Sequence, residues 1–276
     1  MKTIEISSVS IGGGNPLALI AGPCVVESRG MVLTTAEKIK EITTRLGIPF
    51  IFKSSYRKAN RTSVAGFTSI GIDEALAILA EVKAQLNVPI LTDVHSTEEV
   101  NAAAAVADVL QIPAFLCRQT DLLVAAGRSG KAVNIKKGQF LAPDDMKHPI
   151  EKVESSGNER ILVTERGTTF GYHNLVVDMR GLTIMRSFGY PVILDATHSV
   201  QLPSGEGGKS GGEPQFIFPI ARAGVAVGID GLFIETHPEP AKALSDAASQ
   251  LPLSHLEGLL RQVVEIDSLA KRYGWS

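Results

Sequence analysis

Short, continuous apolar runs recur along the chain, and each is closed by polar residues. In order they read PLALIAG, FIFKSS, PILTDV, DVLQIP, AVNIKK, ILVTERG, PVILDATH and GLFIETH. Apolar runs without alternation are the pattern of parallel strands covered on both faces. Between them lie longer stretches with helical spacing, among them 33–46, 72–86 and 174–188. Strand and helix therefore alternate, which predicts βαβ units around a parallel sheet.

Eight such runs within 276 residues match an α/β fold of the (β/α)8 TIM-barrel type, which takes about 250 residues as one domain. No linker-like stretch divides the chain, so residues 1–276 are expected to form a single barrel domain. A doubly wound open sheet is the rival architecture. Its dinucleotide fingerprint is missing, because Gly12, Gly13 and Gly14 form a bare triplet before the first run. Residues 1–14 are expected to form a short N-terminal β-hairpin that closes the bottom of the barrel.

Composition is that of an ordinary globular protein, with 44% apolar and 20% charged residues. No apolar run approaches the ~18 residues of a membrane span, and the opening MKTIEISSVSIGGG lacks a basic segment followed by an apolar stretch. A cytoplasmic location is the expectation. Two cysteines, Cys24 and Cys117, are too few for a disulfide framework and leave thiols available as ligands. A net charge of −2 gives no global field for nucleic acid or an anionic membrane, so neither is expected as a partner.

The chemistry gathers where the runs end. In order the ends carry Cys24, Lys53 with Ser55, Asp93, Gln111, Lys136, Arg166, His198 and Glu235. In a barrel these positions converge on the C-terminal mouth, where active sites of the fold lie. Lys53, Lys136 and Arg166 from separate strands would repel one another unless an anion sat among them. A guanidinium fork beside ammonium charges suits phosphate or carboxylate. The segment KSSYRKANR at 53–61 adds Arg57, Lys58 and Arg61, and on charge alone it reads equally as a solvated basic face.

Cys24, His198 and Glu235 offer sulfur, nitrogen and oxygen donors, with Asp246 just beyond in ALSDAASQ. That mixture suits a transition metal rather than Mg²⁺ or Ca²⁺, although no local ligand motif marks it and a lone buried cysteine is commonly structural. The glycine-rich GEGGKSGGE at 205–213 follows the seventh run. It reads either as a surface loop or, over 201–213, as a lid that closes on substrate.

FKSSYRKANRTS, LTDVH, QIPAFLCRQTDL, NIKKGQF, TERGTTFGY, LDATHSVQ and FIETHPEP together resemble the signature segments of the 3-deoxy-D-manno-octulosonate 8-phosphate synthase family. They span nearly the whole chain in family order. The resemblance implies a homotetramer of (β/α)8 barrels, a transferase that condenses phosphoenolpyruvate with D-arabinose 5-phosphate and releases phosphate. Its product feeds the inner core of lipopolysaccharide. The sister synthase acting on erythrose 4-phosphate carries a KPRTS-like segment where this chain has KANRTS, and a non-catalytic phosphosugar-binding barrel is the rival from another class.

By position, the resemblance assigns Lys53, Ser55, Lys58, Gln111, Lys136 and Arg166 to phosphoenolpyruvate. It assigns Asn60, Arg61 and Thr62, with Asp93 and Gln201, to the aldose phosphate, Thr62 standing where the family has Ser. Phe115 and Arg118 match residues that reach into a neighbouring subunit's site. Lys58, Asp93 and His198 are the candidate catalytic groups. The family has a metal-dependent branch and a branch with Asn at the position of Cys24 and CDGP around Asp246. Cys24 and SDAASQ place this chain with the first, with Cys24, His198, Glu235 and Asp246 as implied ligands of Fe²⁺, Zn²⁺, Mn²⁺ or Co²⁺.

Overall fold

The computed structural model describes residues 1–59, 66–169, 174–206 and 209–273. Strands Thr3–Ile6 (β1) and Val9–Gly12 (β2) pair antiparallel as the expected hairpin. Then come Ala18–Gly22 (β3), Phe50–Lys53 (β4), Ile90–Asp93 (β5), Val109–Ile112 (β6), Ala132–Lys136 (β7) and Ile161–Glu165 (β8). A short pair, Thr168–Thr169 (β9) and Leu175–Val176 (β10), precedes Val192–Asp195 (β11). The antiparallel ribbon Gln201–Glu206 (β12) and Lys209–Gly212 (β13) is followed by Gly231–His237 (β14) and Leu251–Pro252 (β15).

Strands β3 to β8, β11 and β14 pair in parallel with their neighbours, and β14 returns to β3, so the ring closes. All eight predicted runs are the eight barrel strands. Closure removes both sheet edges, and the helices cover the outer face. These are Arg29–Leu46 (α1), Ile72–Leu86 (α2), Glu99–Val106 (α3), Thr120–Arg128 (α4), Lys147–Glu154 (α5), Met179–Arg186 (α6), Ile217–Val227 (α7) and Leu253–Tyr273 (α8).

Helix α2 has the predicted bounds, while α1 starts earlier than position 33. Ser28 caps its first turn by accepting from Met31 N, and Gly47 ends it in the left-handed region. The stretch 174–188 is a correction. Leu175 and Val176 leave the helix to pair with Thr169 and Thr168, and Asp178 caps α6 by accepting from Arg180 N. The β-branched cluster after Leu175 favours an extended chain over a first helical turn.

Side chains two apart on a strand share a face, and this period separates chemistry from stability. Ile20, Ile51, Leu91, Val109, Leu162, Ile193 and Phe233 pack with Ile4, Ile6, Val9 and Ile11 of the hairpin in one interior cluster. The hairpin thus plugs the end of the barrel from which the strands start. Two residues further along come Gly22 on β3 and, on the other six strands, Lys53, Asp93, Gln111, Thr164, Asp195 and Glu235, these polar side chains all buried. The barrel interior is apolar at one end and polar at the other.

Gly22 marks the junction of the two halves. A Cβ there would lie 2.0 Å from the Lys53 carbonyl oxygen on β4. Gly22→Ala should therefore cost roughly 1–3 kcal/mol in urea unfolding, because backbone must shift to admit the methyl. Gly30→Ala in α1, where a Cβ meets nothing within 4 Å, should leave stability equal or higher. Equal effects at the two positions would contradict the packing described.

Candidate active site

The polar strand ends enclose a cavity of about 180 Å³ lined by Lys53, Lys58, Asp93, Gln111, Phe115, Lys136, Arg166, His198 and Glu235, among others. A larger cavity of about 600 Å³ beside α5 holds Arg118 with Asp145, His148 and Lys152. No barrel strand ends in it, so the smaller cavity carries the convergent chemistry. Phe115 is 57% exposed at the mouth's rim. Arg118 is exposed and lies away from this chain's own mouth. Asn60, Arg61 and Thr62 fall outside the described residues.

Carboxylates hold the cations apart. Lys53 Nζ donates to Glu235 Oε1 at 2.6 Å and to the Cys24 carbonyl at 3.0 Å, with both side chains of the ion pair almost fully buried. Lys136 Nζ lies 2.5 Å from Asp195 Oδ2 and 4.1 Å above the Phe233 ring. Lys58 Nζ stands 3.6 Å from Asp246 Oδ2. The repulsion inferred from sequence is thus relieved in part within the protein, by Glu235, Asp195 and Asp246.

Arg166 is different. Its Nη2 donates to Gln201 Oε1 at 2.8 Å, while Nη1 is buried with no hydrogen-bond partner among the described residues. Burial pushes the guanidinium pKa down, against the pull of Asp195, Asp246, Glu165 and Glu235. An unpartnered buried donor of this kind is satisfied by an anion or by water.

A hydrogen-bonded belt crosses five strands or strand ends. Ser55 Oγ and Gln111 Nε2 both donate to Asp93, Asn134 Nδ2 donates to Gln111 Oε1 at 2.9 Å, and Thr164 Oγ1 donates to Asn134 Oδ1 at 2.7 Å. Burial works against the Asp93 carboxylate, but Lys53, Lys58, His95 and the Ser55 hydroxyl hold its pKa well below the usual range. Asp93 is therefore a fixed negative charge that orients Ser55 and Gln111.

Ligand atoms of Cys24, Glu235 and Asp246 all lie within 4.8 Å of one another. Cys24 Sγ is 3.0 Å from Asp246 Oδ2. His198 is outside that tight group but borders it, with Nε2 3.5 Å from Glu235 Oε2. Its Nδ1 lies 2.6 Å from Asp195 Oδ2, so the carboxylate directs the other ring nitrogen toward the cluster. Glu235 Oε2 is buried without a hydrogen-bond partner among the described residues, an oxygen that a cation would satisfy.

Asp246 adopts φ 49°, in the left-handed region that Asp enters more readily than most non-glycine residues. Burial, and then the charges of Asp246 and Glu235, push the Cys24 thiol well up. A bound cation reverses that balance and draws the thiolate out. The residues present therefore fit a soft transition-metal ion.

Sequence reading missed Asp195, Thr197, Asn134 and Gln250. Asp195 is legible afterwards from the period of two, since Ile193 points into the barrel. Thr197 donates to Asp195 Oδ1 and accepts from Glu235 N, a linkage that no spacing reveals.

The family model of the DAHP synthetase I family matches residues 2–272. A curated protein of Geobacter metallireducens named 2-dehydro-3-deoxyphosphooctonate aldolase is 57% identical over 270 residues, covering 98% of this chain and 99% of its own length. Proteins of the same name from Trichlorobacter lovleyi and Stenotrophomonas maltophilia are 56% and 55% identical, over 98% and 99% of this chain and 99% of their own lengths. No described helix is long and apolar enough to cross a membrane.

The depressed Asp93 pKa makes a signed prediction. A carboxyl held lower in the folded than in the unfolded chain adds stability above its unfolded pKa, near 4, and loses it as pH falls through the folded value. The melting-temperature gap between wild type and Asp93→Asn should be widest near neutrality and narrow steadily below about pH 4. A gap independent of pH would show that the carboxylate is not held by its cationic neighbours.

Proposed function

The chain belongs to the DAHP synthetase I family, and from that premise we propose that it joins phosphoenolpyruvate to D-arabinose 5-phosphate. The products are 3-deoxy-D-manno-octulosonate 8-phosphate and inorganic phosphate, and the setting is cytoplasmic supply of the lipopolysaccharide inner core. One observation carries the reading. Four buried cations, Lys53, Lys58, Lys136 and Arg166, share a mouth with a three-donor metal cluster, and Arg166 Nη1 is left for an anion. The relatives' name supports an octonate product over the seven-carbon product of the sister synthase.

In this reading C3 of phosphoenolpyruvate attacks the aldehyde carbon, and a new C–C bond forms while the aldehyde oxygen takes a proton. Lys58 gives that proton in this reading. Burial works against its charge, but a Cys24 thiolate, Glu235 and Asp246 raise its pKa well above the ordinary lysine value. Positive character left at C2 is quenched by water, which loses a proton to the Lys58 amine left by the first step. The resulting hemiketal phosphate expels phosphate by C–O cleavage, the bridging oxygen leaving with phosphorus while the C2 hydroxyl passes its proton to the departing phosphate and becomes the ketone.

Lys136 and Arg166 stabilise the departing phosphate, and Lys53 with Ser55 and Gln111 orient phosphoenolpyruvate beside them. Asp93 keeps Ser55 and Gln111 aimed, and Asn60, Arg61 and Thr62 take the aldose phosphate. Cys24, His198, Glu235 and Asp246 would hold a divalent Fe, Zn, Mn or Co ion, which would supply Lewis-acid chemistry beside the anion site. The β12–β13 ribbon acts as the lid that excludes bulk water. Its base is tied in through Gln201, which accepts from Arg166 and donates to Asp246 Oδ1 at 3.1 Å. In a homotetramer, Arg118, which lies away from this chain's own mouth, completes the site of a neighbouring subunit, whereas Phe115 stands at the rim of its own.

Phosphate release should require phosphoenolpyruvate and arabinose 5-phosphate together, with erythrose 4-phosphate a poor replacement. Chelation should abolish it and a divalent transition metal restore it. Cys24→Ala should resist restoration, with a loss on the order of a hundredfold or more, since even outer partners of metal ligands cost 10- to 100-fold. Full turnover after exhaustive chelation would overturn the metal assignment, and preference for erythrose 4-phosphate would overturn the substrate assignment.

A further inference from the structure

The ligand cluster is assembled from chain segments far apart in sequence. Cys24 follows β3, while Asp246 sits in the connection between β14 and β15, more than two hundred positions later. Gln250 lies beside both and is 1% exposed. Its Oε1 accepts from Cys24 N at 3.2 Å, and its Nε2 donates to the carbonyl of Ser245 at 2.9 Å. One planar carboxamide therefore ties the backbone of one ligand to the residue next to another.

The connection is fastened elsewhere without Gln250. Leu244 N donates to Glu27 Oε1 at 2.9 Å, and β15 pairs with β14 through Thr236 and His237. Thr236 Oγ1 also donates to the Leu251 carbonyl. These ties hold the segment on the barrel, and Gln201 and Lys58 meet the Asp246 carboxylate, but among the described residues Gln250 is the side chain that joins the Cys24 backbone to the segment carrying Asp246. The Cys24 carbonyl is already occupied by Lys53 Nζ and Ser55 N, so its N–H is the remaining handle on that residue's backbone.

We propose that Gln250 is a positioning residue for the metal centre, its carboxamide fixing the distance between the Cys24 sulfur and the Asp246 carboxylate. This rests on the metal reading above. Sulfur–metal and oxygen–metal bonds tolerate only tenths of an ångström, so a joint between the two segments acts on affinity and on ligand geometry. Loss of an outer partner of this type costs roughly ten- to a hundredfold in metal affinity.

The test uses metal-stripped full-length enzyme titrated with Co²⁺, following the thiolate-to-cobalt charge-transfer band in the near ultraviolet, with affinity from competition against a chelator. Gln250→Met keeps the side-chain length and removes both hydrogen bonds. It should weaken binding roughly ten- to a hundredfold and alter the band, while far-ultraviolet dichroism stays that of the wild type. Gln250→Asn, one methylene too short to span the two backbones, should shift both readouts the same way and decides the matter if the Met variant does not fold. Unchanged affinity and band in a folded variant would overturn the role of Gln250 alone. Absence of any cobalt–thiolate band in the wild type would overturn the metal reading, and this inference with it.

Discussion

Everything at the mouth depends on keeping like charges together inside a protein. Lys53 and Glu235 meet at 2.6 Å with side chains 2% and 1% exposed. Such a pair is a poor source of stability, because stripping water from both ions costs about what their attraction returns. Its use lies in what it permits. Glu235 neutralises Lys53 with one oxygen and leaves the other free to meet a metal, and Asp195 serves Lys136 and His198 together. The carboxylates keep the cations charged and in place without filling the anion site beside Arg166.

The barrel makes this arrangement affordable through its period of two. Apolar side chains of the lower interior, sealed by Ile4, Ile6, Val9 and Ile11, supply the packing, and the same strands turn polar one interior position later. The pair Ile51 and Lys53 shows this on a single strand, as do Leu91 with Asp93 and Phe233 with Glu235. Close backbone approach at Gly22 brings β3 and β4 together just below the site, so strand register places Lys53 and Glu235, while Cys24, Lys58, His198 and Asp246 sit in the segments just beyond the strands.

The eight strands were legible because each is buried on both faces and therefore apolar without interruption, and their polar ends pointed at the mouth. Lys53, Asp93, Gln111, Lys136, Arg166, His198 and Glu235 all line it, and Cys24 borders it beside Glu235. Residues 174–178 misled, since apolar spacing there suits a helix as well as the short β10 strand, and only pairing with β9 decides. Gln250 and Thr197 were invisible because their work is done through backbone atoms of residues distant in sequence. On charge alone Lys58 reads as one basic residue among several and only the resemblance marks it as catalytic, whereas the structure buries it beside Cys24, Glu235 and Asp246.

The central claim is that one mouth holds a transition metal and an anion side by side. Anomalous X-ray scattering at the metal's absorption edge, from crystals grown with phosphoenolpyruvate, addresses it directly. The account predicts one strong peak bounded by Cys24, His198, Glu235 and Asp246, with the phosphate density against Arg166 and Lys136. A peak elsewhere in catalytically active crystals, or phosphate bound away from Arg166, would contradict it.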